Sequence, residues 1–447
     1  MKICFIPIDN RPVCYNLAKD ICAIDEDIEL FIPPREYLGS LVKYADTEAL
    51  FEWLKNLPKT DAMVLSLDTL AYGGLIPSRR ITDGYEEIKT RIEQLKPLLE
   101  NKKVYAFSSI MRISNNNYNE EEKEYWSKYG KKIFEFSYSW SKHGKEPIND
   151  IPKGILDDYI KTRKRNFEIN KLYLEWQKEG LFETLIFSKD DCAEFGFNVD
   201  EAKELELLGG KTKTGADEIP LTLLARAIKK DISIYPMYTE PDYKNCISNY
   251  EDISIEKSVL GQLELGGFNV VESEKDADVV LVVNNFVKKQ GELVMGWATE
   301  CKYGNEFVFP LKPFAVADVR YANGADNEFV DALFANNIPQ YGYAGWNTSA
   351  NTLGSLLAGV KVKFNSKKYN DDAFKKLQLI RYLDDWAYQA NVRAEIKEPC
   401  DIKALMKPYE NKIISKIYCK ASNSKFGIIE YMYPWNRKFE IEIDIKS

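Results

Sequence analysis

A chain of 447 residues has the length for two or three packed units. Its 45% hydrophobic and 29% charged residues describe an ordinary globular protein, and 61 Lys and Arg against 69 Asp and Glu leave a net charge of -8. That balance argues against nucleic acid or an anionic membrane as the main partner, and no stretch approaches the roughly 18 consecutive apolar residues of a membrane span.

Along the chain, short apolar runs alternate with amphipathic helical patterns, the signature of α/β architecture. Strands are expected at 2–8, 28–33, 62–67, 103–109, 184–188, 232–237, 278–283 and 313–317, with helices at 47–57, 84–99 and 251–265 between them. The charged stretch of about 119–180 reads as a helical insertion or cap. Helices are expected again at 349–360 and 371–392, and the chain ends in the β-rich segment KFEIEIDIKS. Eight strand signals suit either a (β/α)8-barrel-like fold or doubly wound parallel sheets, with a small C-terminal α+β segment. The expected division is an α/β catalytic domain at 1–230, a second α/β half or barrel continuation at 231–364, and a C-terminal helix plus β-rich segment at 365–447. In MKICFIPIDNRPVC, Pro7 and Asp9 interrupt the apolar run too early for a signal peptide, so a cytoplasmic protein is expected.

Eight cysteines are scattered singly with no CxxC, and buried reduced thiols are the expectation. The one histidine, His143, lies in the polar stretch SKHGK, expected as an exposed loop. A Ser-His-Asp triad, a Cys-His dyad and a multi-histidine metal site are therefore not expected. The remaining chemistry runs on carboxylates, Arg, Lys, Tyr and Asn.

Acids recur where strands end. CFIPIDNRP places Asp9, Asn10 and Arg11 after the first strand, and VLSLDTLAYGGLIPSRR places Asp68, Tyr72 and Arg79 after the third. Arg112 follows the fourth strand, LIFSKDDCAEFGF places Asp190 and Asp191 after the fifth, and FAVADVRYANGAD ends on Asp318, followed by Tyr321 and Asn323. In parallel α/β folds these strand ends line the ligand cleft. Asp also favours turns and helix caps, but four strands ending alike gathers carboxylates that repel unless something uses them. The arginines suit either structural ion pairs or the grip on an anionic or polyhydroxyl ligand.

A second recurrence is Gly-Ala-Asp before an apolar helical pattern, in TGADEIPLTLLARA and YANGADNEFVDALF. Asp217 and Asp326 are either N-caps or, for Asp217 with Glu218, a working carboxylate pair. In YGYAGWNTSANTLGS, Tyr343, Trp346, Asn347 and Asn351 fall together. The rings suit a core, or an aromatic platform beside amides of the kind that binds sugars.

The motifs PIDNRP, DTLAYGGLIPSR, KDDCAEFG, GADE, YANGAD and GYAGWNTSANTLG, spread over residues 7 to 354, resemble the bacterial family called domain of unknown function 4127. That family implies no reaction. The GADEI stretch is also similar to the Gly-Gly-Asp-Glu-Val signature of family 20 β-N-acetylhexosaminidases, with Ala216 in place of the second glycine and no histidine nearby. There the resemblance implies an Asp that orients the substrate acetamide and a Glu that acts as general acid.

The leading expectation is a carboxylate-based glycoside hydrolase or related carbohydrate-active enzyme, with N-acetylated sugars among its substrates and no cofactor or metal. Asp217 and Glu218 are the first catalytic pair, Glu218 being the acid beside a charged Asp217. Asp190 and Asp191 are the rival pair. The remaining residues named above are expected to bind a small-molecule or oligosaccharide substrate. One alternative is a Mg²⁺- or Mn²⁺-dependent hydrolase or phosphoryl-handling enzyme, with Asp9, Asp68, Asp190 and Asp318 as oxygen ligands. Another is a non-catalytic sugar-binding protein.

Overall fold

The computed structural model describes residues 1–190, 192–228, 231–301, 307–336, 338–418 and 428–446. Asp191 and Cys419 lie outside the described residues. The chain forms two compact units: one of Met1–Tyr15, Glu29–Leu223 and Tyr250–Asp252, the other of Asn16–Ile28, Leu224–Asn249 and the chain from Ile253 onward.

The first unit is built on β1 (Lys2–Ile6), β2 (Glu29–Phe31), β3 (Ala62–Ser66), β4 (Val104–Ile110), β5 (Thr184–Lys189) and β6 (Thr212–Thr214). They form one sheet in the order β2-β1-β3-β4-β5-β6, parallel throughout. The central strands AMVLS and VYAFSSI are buried along their whole length, as strands covered on both faces must be. Helices supply the cover. Helix Thr47–Lys55 is started by Asp46, whose carboxylate accepts from the Ala49 N–H at 2.9 Å, and it buries Leu50, Phe51 and Leu54 in the core. The expected insertion consists of helices Trp126–His143 and Lys153–Lys178. They share a satellite core of Trp126, Ile133, Phe136, Leu156 and Tyr159, while Ile169, Tyr173 and Trp176 join the main one. His143 is the exposed last residue of its helix.

In the second unit the strands are β7 (Ser233–Tyr238), β8 (Asn269–Val270), β9 (Val279–Asn284), β10 (Gly291–Glu292), β11 (Phe314–Asp318), β12 (Tyr321–Ala322), β13 (Tyr343–Ala344), β14 (Ile429–Met432) and β15 (Glu442–Ile445). Five of them make a parallel sheet in the order β13-β11-β9-β7-β8. β10 pairs with β12, and β14 with β15 as an antiparallel hairpin. Helix Ser349–Asn365 is buried from Ser349 to Val362. Helix Asp371–Arg381 runs on as the π-helical turns Tyr382–Val392, which place Tyr382, Leu383, Trp386 and Tyr388 in the core with Phe334 and Tyr343.

Both sheets are open and doubly wound; neither closes into a barrel. Counted from its own first strand, each runs 2-1-3-4-5, the first adding a sixth strand at its edge. Such a sheet reverses winding between its first and third strands, and ligands bind there beyond the carboxyl ends. All eight expected strands are present, with ends within two residues of expectation. Among the described residues no helix is long and apolar enough to cross a membrane.

Candidate functional site

In the first unit, the reversal falls between β1 and β3, and the loop after β1 carries Asp9-Asn10-Arg11. Asp9 accepts from the Arg11 backbone N–H and from Nε, both at 2.9 Å, with Nη2 at 2.7 Å. The same guanidinium reaches the loop after β6, where Nη2 donates to Asp217 Oδ1 at 2.6 Å and Nη1 to Oδ2 at 3.2 Å. This is a two-point Arg–carboxylate pair, a geometry that adds directional specificity to the attraction. Arg11 and Asp9 are buried and Asp217 is partly exposed. Glu218, next in the chain, is fully buried. Asn10 contributes backbone: its N–H donates to Gly39 O at 3.0 Å and its carbonyl accepts from Arg35 at 2.8 Å.

Cys14 Sγ lies 3.9 Å from Arg11 Nη2 and 3.8 Å from the Asp217 carbonyl. Burial and the Asp9 charge push its thiol well above the ordinary value, so it stays a neutral thiol. Among the described residues, Asp9, Cys14 and Asp217 are the group with ligand atoms close enough to hold a metal, within 4.8 Å of one another. The Arg11 guanidinium, however, already lies against both carboxylates and offsets one of their two charges. The expected metal set of Asp9, Asp68, Asp190 and Asp318 is not such a group, and Asp318 belongs to the second unit.

Asp68 does not end β3. The strand stops at Ser66, and Asp68 sits in the first turn of helix Leu67–Tyr72. Thr69 Oγ1 donates to the Pro7 carbonyl at 2.7 Å, tying this helix to the loop after β1. Asp68 is 1% exposed and accepts from the Ser109 N–H at 2.8 Å. Burial raises its pKa to about 7, against the Ser109 bonds and the positive charge of Arg79, which pull it down. Tyr72 is buried with Arg165 stacked 5.6 Å from its ring centre, and its hydroxyl is pushed up by burial and by Asp68. Gly73, at φ 89, caps the helix in the left-handed region, and Gly74 follows at φ 129.

The arginines go to a second cluster. Arg79 Nε is 3.3 Å from Glu122, and its Nη2 is 3.6 Å from Glu121. Arg112 pairs with the same glutamates at 3.2 and 2.9 Å and with Asp190 at 3.3 Å. Arg80 instead fastens loops, donating to the carbonyls of Leu41 at 2.9 Å and Glu122 at 3.0 Å. Burial, then Arg112, lowers the Arg79 pKa, while the acids oppose that. Glu121, Glu122 and Ser109 were not expected here; the acidic run EEEKE gives no sign that it folds back on Arg79 and Arg112.

The other expected residues lie in the second unit. Asp318, the last residue of β11, is paired in register with Asn284, whose amide donates to it at 2.7 Å. It also accepts from the Asp326 N–H at 2.8 Å and from Tyr343 Oη at 2.9 Å. Burial and the Asp326 charge raise its pKa to about 7. Asp326 caps helix Asn327–Asn336 through the Glu328 N–H at 3.1 Å and pairs with Arg320 at 3.2 Å. Of the two Gly-Ala-Asp acids, then, Asp326 takes a cap role while Asp217 is held by Arg11. Asn323, at φ 56, donates to Glu292 at 2.9 Å, and Tyr321 is half-buried.

An aromatic sugar platform at Tyr343 and Trp346 is not present. Both rings are buried: Tyr343 stacks on Tyr382 at 4.4 Å, and Trp346 packs against Phe439 at 5.7 Å, leaving no face for a sugar ring. Asn347 accepts from the Thr348 N–H at 2.7 Å. Asn351 is buried in helix Ser349–Asn365. Around the reversal of this second sheet, Thr239 donates to Asn284 at 3.2 Å, and Asn285 and Glu240 exchange two bonds at 2.9 Å each. These side chains bond to one another at the carboxyl ends of β7 and β9. The candidate site is the carboxyl edge of the six-stranded sheet, where Asp9, Arg11 and Asp217 meet.

No curated protein matches the sequence. A solved structure of a ugt transferase from Siraitia grosvenorii in complex with UDP aligns over 92% of this chain and 99% of its own, at 10% identity and a TM-score of 0.21; similarity that low carries no argument. A family match covers residues 3–444, nearly the whole chain. The chain belongs to the family described as "Protein of unknown function (DUF4127)".

Proposed function

We propose that the protein is a carbohydrate-active hydrolase that works with carboxyl groups at the carboxyl edge of its six-stranded sheet. Glycosidic cleavage needs one carboxyl held charged and another held protonated. The observation that carries the reading is that this edge holds carboxyls in two different environments: Asp217 in a two-point pair with Arg11, and Asp68 buried, its pKa raised to about 7. Asp217 is the charged partner. Glu218, buried next to Asp217 in the chain, is the proton donor, and Asp68 is a second buried carboxyl of the same edge. With a single, exposed histidine, the chain has no imidazole to take either role. The buried thiols Cys4, Cys14 and Cys22 support placing the enzyme in the reducing cytoplasm.

The test is a panel of aryl glycosides, N-acetylated sugars included, with wild type, Asp217→Asn and Glu218→Gln. Loss of turnover by about a hundredfold or more in both variants is expected. No turnover of any glycoside by wild type, or variants within about tenfold of it, removes the reading. An EDTA arm separates the metal alternative: activity lost to chelation and restored by Mg²⁺ or Mn²⁺ would move the chemistry to a cation.

A further inference from the structure

We propose that Arg79, Arg112, Glu121 and Asp190 form a subsite for the hydroxyl groups of an uncharged sugar residue, a deepening that rests on the carbohydrate reading above. Arg79 is 1% exposed, yet none of its three guanidinium nitrogens makes a hydrogen bond of good geometry among the described residues. Its charge is balanced by Glu122 at 3.3 Å and Glu121 at 3.6 Å. Its N–H groups are not satisfied. Buried guanidinium donors almost always find acceptors, so this side chain calls for one more.

The chemistry of that acceptor follows from the neighbours. Arg79 and Arg112 face Glu121, Glu122 and Asp190, so these ion pairs set three carboxylates against two guanidinium groups. A phosphate or carboxylate would add to that excess. An ammonium would ease it but brings no lone pair for Arg79. A hydroxyl does both, accepting from a guanidinium and donating to a carboxylate. Neighbouring hydroxyls on a sugar ring can do so side by side against the planar guanidinium.

Access and position agree. Arg112 is 17% exposed, and Glu121 and Asp190 are each 21% exposed, so the cluster opens toward solvent on their side. Arg112 and Asp190 follow the carboxyl ends of β4 and β5, which pair Ile110 with Lys189. That is the ligand-binding end of a doubly wound sheet.

Calorimetric titration of the full chain tests this with neutral hexoses and N-acetylhexosamines against matched hexuronates, sugar phosphates and amino sugars. Neutral sugars should bind best, and Asp190→Asn and Arg79→Lys should each weaken that binding about tenfold or more. Asp190 is partly exposed, so its variant folds even where Arg79→Lys does not. Charged sugars binding as tightly as neutral ones, no neutral sugar binding at all, or both variants binding like wild type each overturn the subsite. The two proposals fail separately. Sugar bound through Asp190 with no glycoside turned over removes the catalytic reading alone. Turnover with KM unchanged in both variants removes the subsite alone.

Discussion

Arg11 and Asp217 lie 206 positions apart in sequence and meet at 2.6 Å, with Asp9 on the same guanidinium at 2.7 Å. One cation thus fixes two carboxylates in largely buried surroundings. Replacing it takes the cation from both, and breaking such a pair from one side costs about 3–5 kcal/mol. Arg11→Met should lose stability of that order in urea unfolding. Adding Asp9→Asn and Asp217→Asn to Arg11→Met should recover a good part of it. If Arg11→Met is as stable as wild type, the guanidinium is not what holds these loops.

Asp68 makes stability depend on pH in a defined direction. Its carboxyl titrates at about 7 in the folded chain against an ordinary 3.8, so between those values the folded protein keeps a proton that the unfolded chain has lost. Stability therefore falls as pH rises across that window and levels off above it. Asp68→Asn mimics the protonated form. It should match wild type at the acid end of the window and exceed it at pH above about 7, where each 1 kcal/mol is read as a Tm gain of roughly 2–4 °C. A variant less stable than wild type at alkaline pH would mean the carboxyl is charged in the fold and needed there.

Much of the fold was legible because parallel strands covered on both faces leave unbroken apolar runs, as in AMVLS and VVLVVN. Strands that escaped, among them Thr212–Thr214, Asn269–Val270, Tyr343–Ala344 and Ile429–Met432, have two to four residues, too few to carry a pattern. A barrel and two open sheets share the same strand–helix alternation, so only pairing order decided between them. Within the site, the strand-end acids were readable as acids but not as partners. Nothing local in GADE shows that Asp217 will meet Arg11. The WNTSAN segment misled for a physical reason: aromatic and small polar residues also build a tightly packed helix start, which is what Trp346 and Ser349 do here.

In the second unit the buried carboxyl of Asp318 depends on its donors. Tyr343 Oη gives it one bond at 2.9 Å, and that bond favours the charged form. Tyr343→Phe keeps the ring stacked on Tyr382 and removes only the hydroxyl. The expected cost is about 1–3 kcal/mol. It should be largest at pH above about 7, where Asp318 is charged, and shrink toward pH 5 as the carboxyl takes up its proton. Chemical unfolding at the two pH values measures it; a cost independent of pH would show that Asp318 does not titrate in this range.

Gly39 and Gly73 should differ in what an added methyl does. A Cβ on Gly39 would fall inside the contact distance of the Gly73 carbonyl oxygen and 3.3 Å from both Ala45 N and Lys43 O, all backbone atoms that cannot swing aside. At Gly73 a Cβ would lie 3.0 Å from Ala45 N and 3.1 Å from Tyr44 Cβ, a milder crowding, and the φ of 89 adds about 1–2 kcal/mol for an L-residue. Gly39→Ala forces backbone apart and should cost about 1–3 kcal/mol or more. The larger consequence is positional. The Gly39 carbonyl accepts from the Asn10 N–H at 3.0 Å, so displacing it moves the loop that carries Asp9 and Arg11. Gly39→Ala should therefore lower turnover beyond its stability cost, with the Asp217 carboxylate less firmly held, whereas Gly73→Ala should lower stability with turnover by the folded fraction largely kept. Equal loss of turnover per folded molecule in the two variants would show that the Gly39–Asn10 link does not position the site.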